Sequence, residues 1–196
     1  MAAATANPGR RTTSLITGLI VALGLGAALP TQAQNPAKRG FEMSPVPLNL
    51  HGRNRDLVGT GSYLVNSVGG CNDCHTSPAY KAGGDPFAGQ AKQVNADRFL
   101  AGGRLFIPNV PYPVGLNGCV ISRNLTPQDG KPGGLTLAQF VHVMRTGQDP
   151  HDTNIPPRLL RVMPWPSHQE MTDRDLQAIY EYLSAIPSIP GIAQCP

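Results

Sequence analysis

The chain has 196 residues, of which 14% are charged and 40% hydrophobic, with 22 Gly and 20 Pro. That length suits one domain, and the low charged fraction with this much Pro and Gly points to a compact, loop-rich protein rather than a disordered one. The formal net charge of +4 falls to +2 once Arg10 and Arg11 are removed with the leader described next, which excludes a strongly basic nucleic-acid-binding face.

Residues 1–33 read as a cleavable secretory signal peptide. Arg10 and Arg11 form a positive n-region, Leu15 to Leu29 is an apolar run of fifteen residues, and Thr31 and Ala33 supply a small-x-small cleavage pattern. The run is shorter than the roughly 17–25 residues of a spanning helix, so an uncleaved anchor is the weaker alternative. Thr12, Thr13 and Ser14 after the arginines do not fit twin-arginine export, and general secretion to the periplasm is expected. Residues 34–53, with Pro36, Pro45 and Pro47, show no helical or strand period and read as a proline-containing tether. The domain proper is expected over 54–196.

From Asp56 to Val68 the apolar positions Leu57, Leu64, Val65 and Val68 follow a helical repeat. Gly61 costs such a helix about 1 kcal/mol relative to Ala, which predicts that another helix crosses closely there. Gly69 and Gly70 end the helix directly before Cys71-Asn72-Asp73-Cys74-His75. C-x-x-C-H is the attachment pattern of a c-type haem. Two thiols at this spacing reach the vinyl groups on one porphyrin edge, and the following histidine is carried to the iron as its proximal ligand. The rival readings are a redox C-x-x-C and half of a zinc site. Zinc needs a second Cys/His pair at similar spacing, and a thioredoxin-like motif needs a βαβ surround. The sequence offers neither.

Residues 76–135 are long, irregular and rich in glycine and proline. A loop of this length in a small domain is usually functional or wrapped around something, and a flat macrocycle supplies a surface to wrap. Thr136 with Gln139 is a capping box that opens a second helix. Its stripe is Leu137, Phe140, Val141 and Met144, and Gly147 stops it. Thr172 with Asp175 opens a third, with a buried stripe of Leu176, Ile179, Tyr180 and Leu183 and with Pro187 beyond its end. Three helices without a convincing strand predict an all-α domain.

The second axial position separates electron carriers from oxygen or peroxide chemistry. Met163 is the leading candidate, because Pro164 biases it toward an extended backbone and Pro164 and Pro166 stiffen its loop. Met144 reads as core, Met171 precedes a helix cap and Met43 sits in the tether. Among the histidines, His51 and His142 read as surface or half-buried residues. His151 and His168 flank the Met163 loop and offer bis-histidine ligation, with His168 the better placed of the two. Arg123, Asn124 and the Trp165 indole N–H are candidate contacts to haem propionates, with loop packing as the alternative for each. Pro78 or a nearby carbonyl is expected to orient the unligated nitrogen of His75. With Cys71 and Cys74 on the haem, Cys119 and Cys195 remain as an even pair in an oxidising compartment and are expected to form a disulfide. Separate thiols or a disulfide to a partner remain open there.

The chain resembles the class I mono-haem cytochromes c, and more closely the cytochrome domains of bacterial periplasmic dehydrogenase electron-transfer subunits. The resemblance rests on Tyr63-Leu64-Val65 before Cys71 to Thr76, and on Gly102-Gly103. Further along it rests on Asn124-Leu125-Thr126-Pro127 with Asp129, on Phe140 through Gly147, on Met163-Pro164-Trp165, and on Thr172 through Leu183. It covers roughly residues 55–186. It implies a small helical fold wrapped around one covalent haem c, with His75 and Met163 as axial ligands. It also implies that the first and last helices cross near Gly61 and the Tyr180/Leu183 stripe. The multi-haem subunits carry several C-x-x-C-H motifs and this chain has one, and the long segment from Lys81 to Cys119 is not explained by the likeness.

The function implied is a periplasmic one-electron carrier rather than an enzyme. Its donor would be a periplasmic or membrane-bound dehydrogenase, and its acceptor a respiratory oxidase or another cytochrome. No nucleic acid or small-molecule substrate is expected. Two alternatives stand beside it. One is a haem enzyme with an open sixth site for peroxide, nitrite or sulfur chemistry; the other is a cytochrome subunit stably docked on an oxidoreductase.

Overall fold

The structure is a computed structural model that describes residues 35–106, 120–152, 155 and 159–191. The proposed leader, residues 1–33, lies outside the described residues, as do Cys119 and Cys195. Six α-helices organise the described chain: α1 (Pro36–Met43), α2 (Arg55–Tyr63), α3 (Cys71–His75), α4 (Leu137–Thr146), α5 (Trp165–His168) and α6 (Asp173–Ala185). None is long and apolar enough to cross a membrane.

Helix α2 starts at Asn54, whose side-chain oxygen accepts from the backbone N–H of Asp56 and Leu57 at 3.0 and 3.2 Å. Two glycines then let it meet a helix on each side. Gly59 and Gly61 lie about 200° apart around a 3.6-residue turn, so they face opposite ways. A Cβ on Gly61 would run into the carbonyl of Ala178 in α6, and one on Gly59 into the carbonyl of Ala37 in α1. The expected close crossing at Gly61 is therefore present, and α6 is the crossing helix.

The contact at Gly59 corrects the reading of residues 34–53 as a tether without regular structure. Asn35 caps α1 by accepting from Ala37 N at 2.9 Å, and Pro36 occupies its first turn. Gly40 lies against the Gly59 carbonyl, and its own carbonyl accepts from Ser62 Oγ at 2.7 Å. The Arg55 guanidinium stacks 5.3 Å from the Phe41 ring centroid. Because α1 packs backbone to backbone through glycine, it needs no wide apolar stripe. That is why hydrophobic periodicity does not reveal it.

The helix expected through Val68 changes character after Tyr63. Leu64–Val68 form a π-helical turn, closed by Gly69 N donating to Leu64 O at 2.7 Å. The wider turn rotates later positions off the buried face, so Val65 is fully buried while Val68 is 58% exposed. Gly70 then takes a left-handed conformation (φ 56°) and starts α3 in a new direction.

Helices α4 and α6 begin and end largely as the sequence predicts. The Thr136/Gln139 box is complete, Gly147 closes α4 in the left-handed region, and Thr172 Oγ1 accepts from Asp175 N at 3.1 Å. Phe140 and Met144 are buried from α4, as are Leu176, Ile179 and Leu183 from α6. The predicted stripes miss Tyr182, which is fully buried. Its hydroxyl receives a hydrogen bond from Asn66 Nδ2 at 3.0 Å and lies 3.3 Å from Ser44 Oγ. That phenol joins α6, the π turn and the residue that follows α1. The core continues through Val58, Phe99, Leu100, Leu135 and Val143.

The all-α expectation holds only in outline, because the chain also forms two small antiparallel sheets. Strand β1 (Leu105–Phe106) pairs with β2 (Val120–Ile121), and β3 (Pro127–Gln128) with β4 (Lys131–Pro132). The second pair is a hairpin whose two-residue turn, Asp129-Gly130, has φ values of 49° and 75°. Asp-Gly suits such a turn, so the sequence did carry a signal for it. Each strand is two residues long, too short for an alternating pattern to register.

Candidate functional site

Residues i, i+3 and i+4 share a face of a helix. In the single turn of α3 these are Cys71, Cys74 and His75, and all three line one cavity of about 530 Å³. Asn72 is buried instead, and Asp73 accepts a hydrogen bond from the Tyr80 hydroxyl. The loop after α4 contributes Leu160, Met163 and Pro164 to the lining of the same cavity. Phe106, Leu135, Phe140, Val143 and Met144 make its lining predominantly apolar.

His75 is held from behind. Its Nδ1 lies 2.8 Å from the Arg123 carbonyl oxygen. A carbonyl only accepts, so Nδ1 carries the proton and Nε2 keeps the lone pair. Burial lowers the pKa of the imidazole, opposed by the hydrogen bond to Arg123, so the ring is held neutral. Among the described residues Nε2 has no hydrogen-bond partner, and it is the nitrogen available to a metal. Of the two expected sources of this contact, Pro78 or another carbonyl, it is another: the Pro78 carbonyl accepts from Asn95 Nδ2 at 3.1 Å. Arg123 supplies it through its backbone, a group that leaves no mark in a sequence.

The Cys71 thiol is unlike the activated thiol of a redox C-x-x-C. Burial, with smaller contributions from Cys74 and Asp73, pushes Cys71 up to about 12. Reactive cysteine pairs depend on a depressed thiol pKa, and Cys71 is displaced the other way. Cys71 and Cys74 are not bonded to each other. Among the described residues no three His, Cys, Asp or Glu side chains gather into a metal-ion site of the zinc kind.

The Met163 loop is pinned to the end of α4. Leu160 N donates to Gly147 O at 2.7 Å, and Trp165 N donates to Met163 O at 2.8 Å. The Trp165 indole N–H donates to Leu160 O at 3.1 Å, and its ring packs on the bare Cα of Gly147. Arg145 donates to Gln169 O and, at 2.8 Å, to Asp173 Oδ1. Trp165 therefore does not line the cavity, and its N–H is committed to the loop rather than to a propionate. It shapes the loop that carries Met163.

Asn124 also serves packing. Its Nδ2 donates to Ile189 O at 2.8 Å, and its Oδ1 accepts from Thr126 N and Oγ1 at 2.9 and 2.8 Å, which holds the segment after α6 in place. Arg123 and Asn124 both line the cavity, together with Asp149, for which the sequence gives no signal. The Arg123 guanidinium donates to the Asp149 carboxylate, to Gly133 O at 3.2 Å and to His151 Nδ1 at 2.5 Å.

Among the rival ligands, Met144 and His168 line the cavity, whereas His51 and His142 are exposed and His151 faces Arg123. Burial lowers the His168 pKa and keeps that imidazole neutral as well. Met171 is partly buried against the core.

Comparison with protein-family models, with curated proteins and with solved structures finds no match. The case for a cofactor therefore rests on fit. The cavity volume falls in the roughly 300–1,000 Å³ range of cofactor pockets, and its mostly apolar lining with a few convergent polar groups is of the usual kind. Two thiols, a neutral imidazole with a free Nε2 and a thioether suit a covalently bound haem.

Proposed function

We propose that this chain is a periplasmic one-electron carrier holding one covalent haem c, exported by a signal peptide over residues 1–33. The observation that carries the reading is that Cys71, Cys74 and His75 share a face of one helical turn and line the same cavity as Met163. In this reading Cys71 and Cys74 would form the two thioethers, and His75 Nε2 and the Met163 sulfur would ligate the iron. The bound group supplies a ferric/ferrous couple. The residues do the rest: the Arg123 carbonyl fixes the His75 tautomer, the apolar lining excludes water, and the Gly147–Trp165–Leu160 contacts hold the Met163 loop. An iron ligated by both His75 and Met163 would have no position left for a substrate, and would only gain or lose an electron. The expected partners are a dehydrogenase as donor and an oxidase or another cytochrome as acceptor.

The test is the far-red charge-transfer band of methionine-ligated ferric haem in the purified protein. Its loss in Met163→Ala, but not in Met144→Ala, supports the assignment; the reverse assigns the ligand to Met144. A second reading, His75/His168 ligation, is favoured by the place of His168 in the same cavity. It predicts no such band in the wild type, and a change of spectrum in His168→Ala instead.

A further inference from the structure

Arg123 touches the site twice. Its backbone carbonyl receives the His75 ring proton at 2.8 Å, and its guanidinium is paired with Asp149 in the wall of the same cavity. The ion pair is only partly open to water, with side-chain exposures of 32% and 25%, so solvent screens it incompletely. A guanidinium can only donate, so the His151 Nδ1 that faces it at 2.5 Å must be the lone-pair nitrogen. Arg123 and Asp149 carry opposite charges and their fields largely cancel, while Arg161, exposed in the same lining, is not paired with Asp149.

We propose that the Arg123–Asp149 ion pair sets the reduction potential of the group bound by His75, each charge masking the other. This rests on the haem reading above. The ferric state carries one more positive charge than the ferrous state. An uncompensated carboxylate beside it stabilises the oxidised form, and an uncompensated guanidinium the reduced form. Breaking the pair from either end should therefore move the potential in opposite directions. A pair whose only role is to hold the fold would give no such sign reversal.

The experiment is an equilibrium redox titration of the haem-loaded protein and four variants. Asp149→Asn unmasks the guanidinium and should raise the potential. Arg123→Gln unmasks the carboxylate and should lower it. Each is expected to change the ferric-to-ferrous ratio at fixed solution potential by several-fold to tenfold, tenfold being 59 mV for one electron. Asp149→Glu and Arg123→Lys keep the charges and should stay near the wild type. If one neutralising variant fails to assemble, the direction of the other decides. Shifts of both in the same direction, or a lone shift against the stated sign, would overturn the proposal, as would potentials that do not move. Wild-type protein that acquires no haem would sink the functional reading itself, whereas loaded protein with unmoved potentials would sink this inference alone.

Discussion

Gly61 of α2 and Ala178 of α6 meet with no side chain between them, the Ala178 carbonyl occupying the place where a Cβ on Gly61 would stand. Gly61→Ala removes a helix-propensity cost of about 1 kcal/mol but forces two backbones apart, and overpacking of this kind costs about 1–3 kcal/mol. The clash should win, because the obstructing atom is backbone and cannot rotate away. Chemical denaturation should show a net loss of stability in Gly61→Ala. A stabilised variant would mean that the helices do not cross there.

Trp165→Phe keeps a ring on Gly147 and removes the indole N–H that donates to Leu160 O. The loss is expected to be about 0.5–1.5 kcal/mol and to be local. Amide hydrogen exchange should quicken at Leu160, which donates to Gly147 O, while the amides of α6 keep their rates. Unchanged exchange at Leu160 would show that the indole does not hold the loop.

Helix α4 depends on its reciprocal cap, Thr136 with Gln139. Thr136→Ala should cost about 0.5–2 kcal/mol, measured by thermal or denaturant unfolding. Gln139→Ala should cost less, because it leaves the Thr136 acceptor for Gln139 N in place.

Alkaline pH should destabilise the fold through its tyrosines. Burial, reinforced by the hydrogen bond to Asp73 and its charge, pushes the Tyr80 phenol up to about 12, and burial also raises Tyr180 and Tyr182 above the ordinary 10.0. As pH rises past about 10 the unfolded chain loses these protons first, so the stability they contribute is complete below about pH 10 and is lost toward about pH 12. Denaturation midpoints should fall across that window. Tyr80→Phe should fall less steeply, and an identical slope would contradict the assignment.

What the sequence showed and what it hid have physical reasons. Caps such as Thr136/Gln139 and the Gly147 stop are local chemistry, and local chemistry is written in consecutive residues. The α3 motif is legible for the same reason, since one turn of helix is enough to bring Cys71, Cys74 and His75 onto one face. Backbone roles are not legible: the Arg123 carbonyl behind His75, the Gly40–Gly59 contact that makes a helix of the supposed tether, and the π turn that exposes Val68. Trp165 is a candidate by residue type, yet its N–H meets Leu160 O, because residue type alone does not say which acceptor a donor will meet. Asp149 carried no signal, since a lone acid after a helix stop looks like any solvated loop residue.

Intact-mass and absorption measurements on the chain purified from a host competent in c-type haem maturation decide whether Cys71 and Cys74 carry a haem. A mass increased by one haem and a visible absorption spectrum are expected, with loss of both in the Cys71→Ala/Cys74→Ala double variant. A colourless protein of unmodified mass would contradict the haem reading.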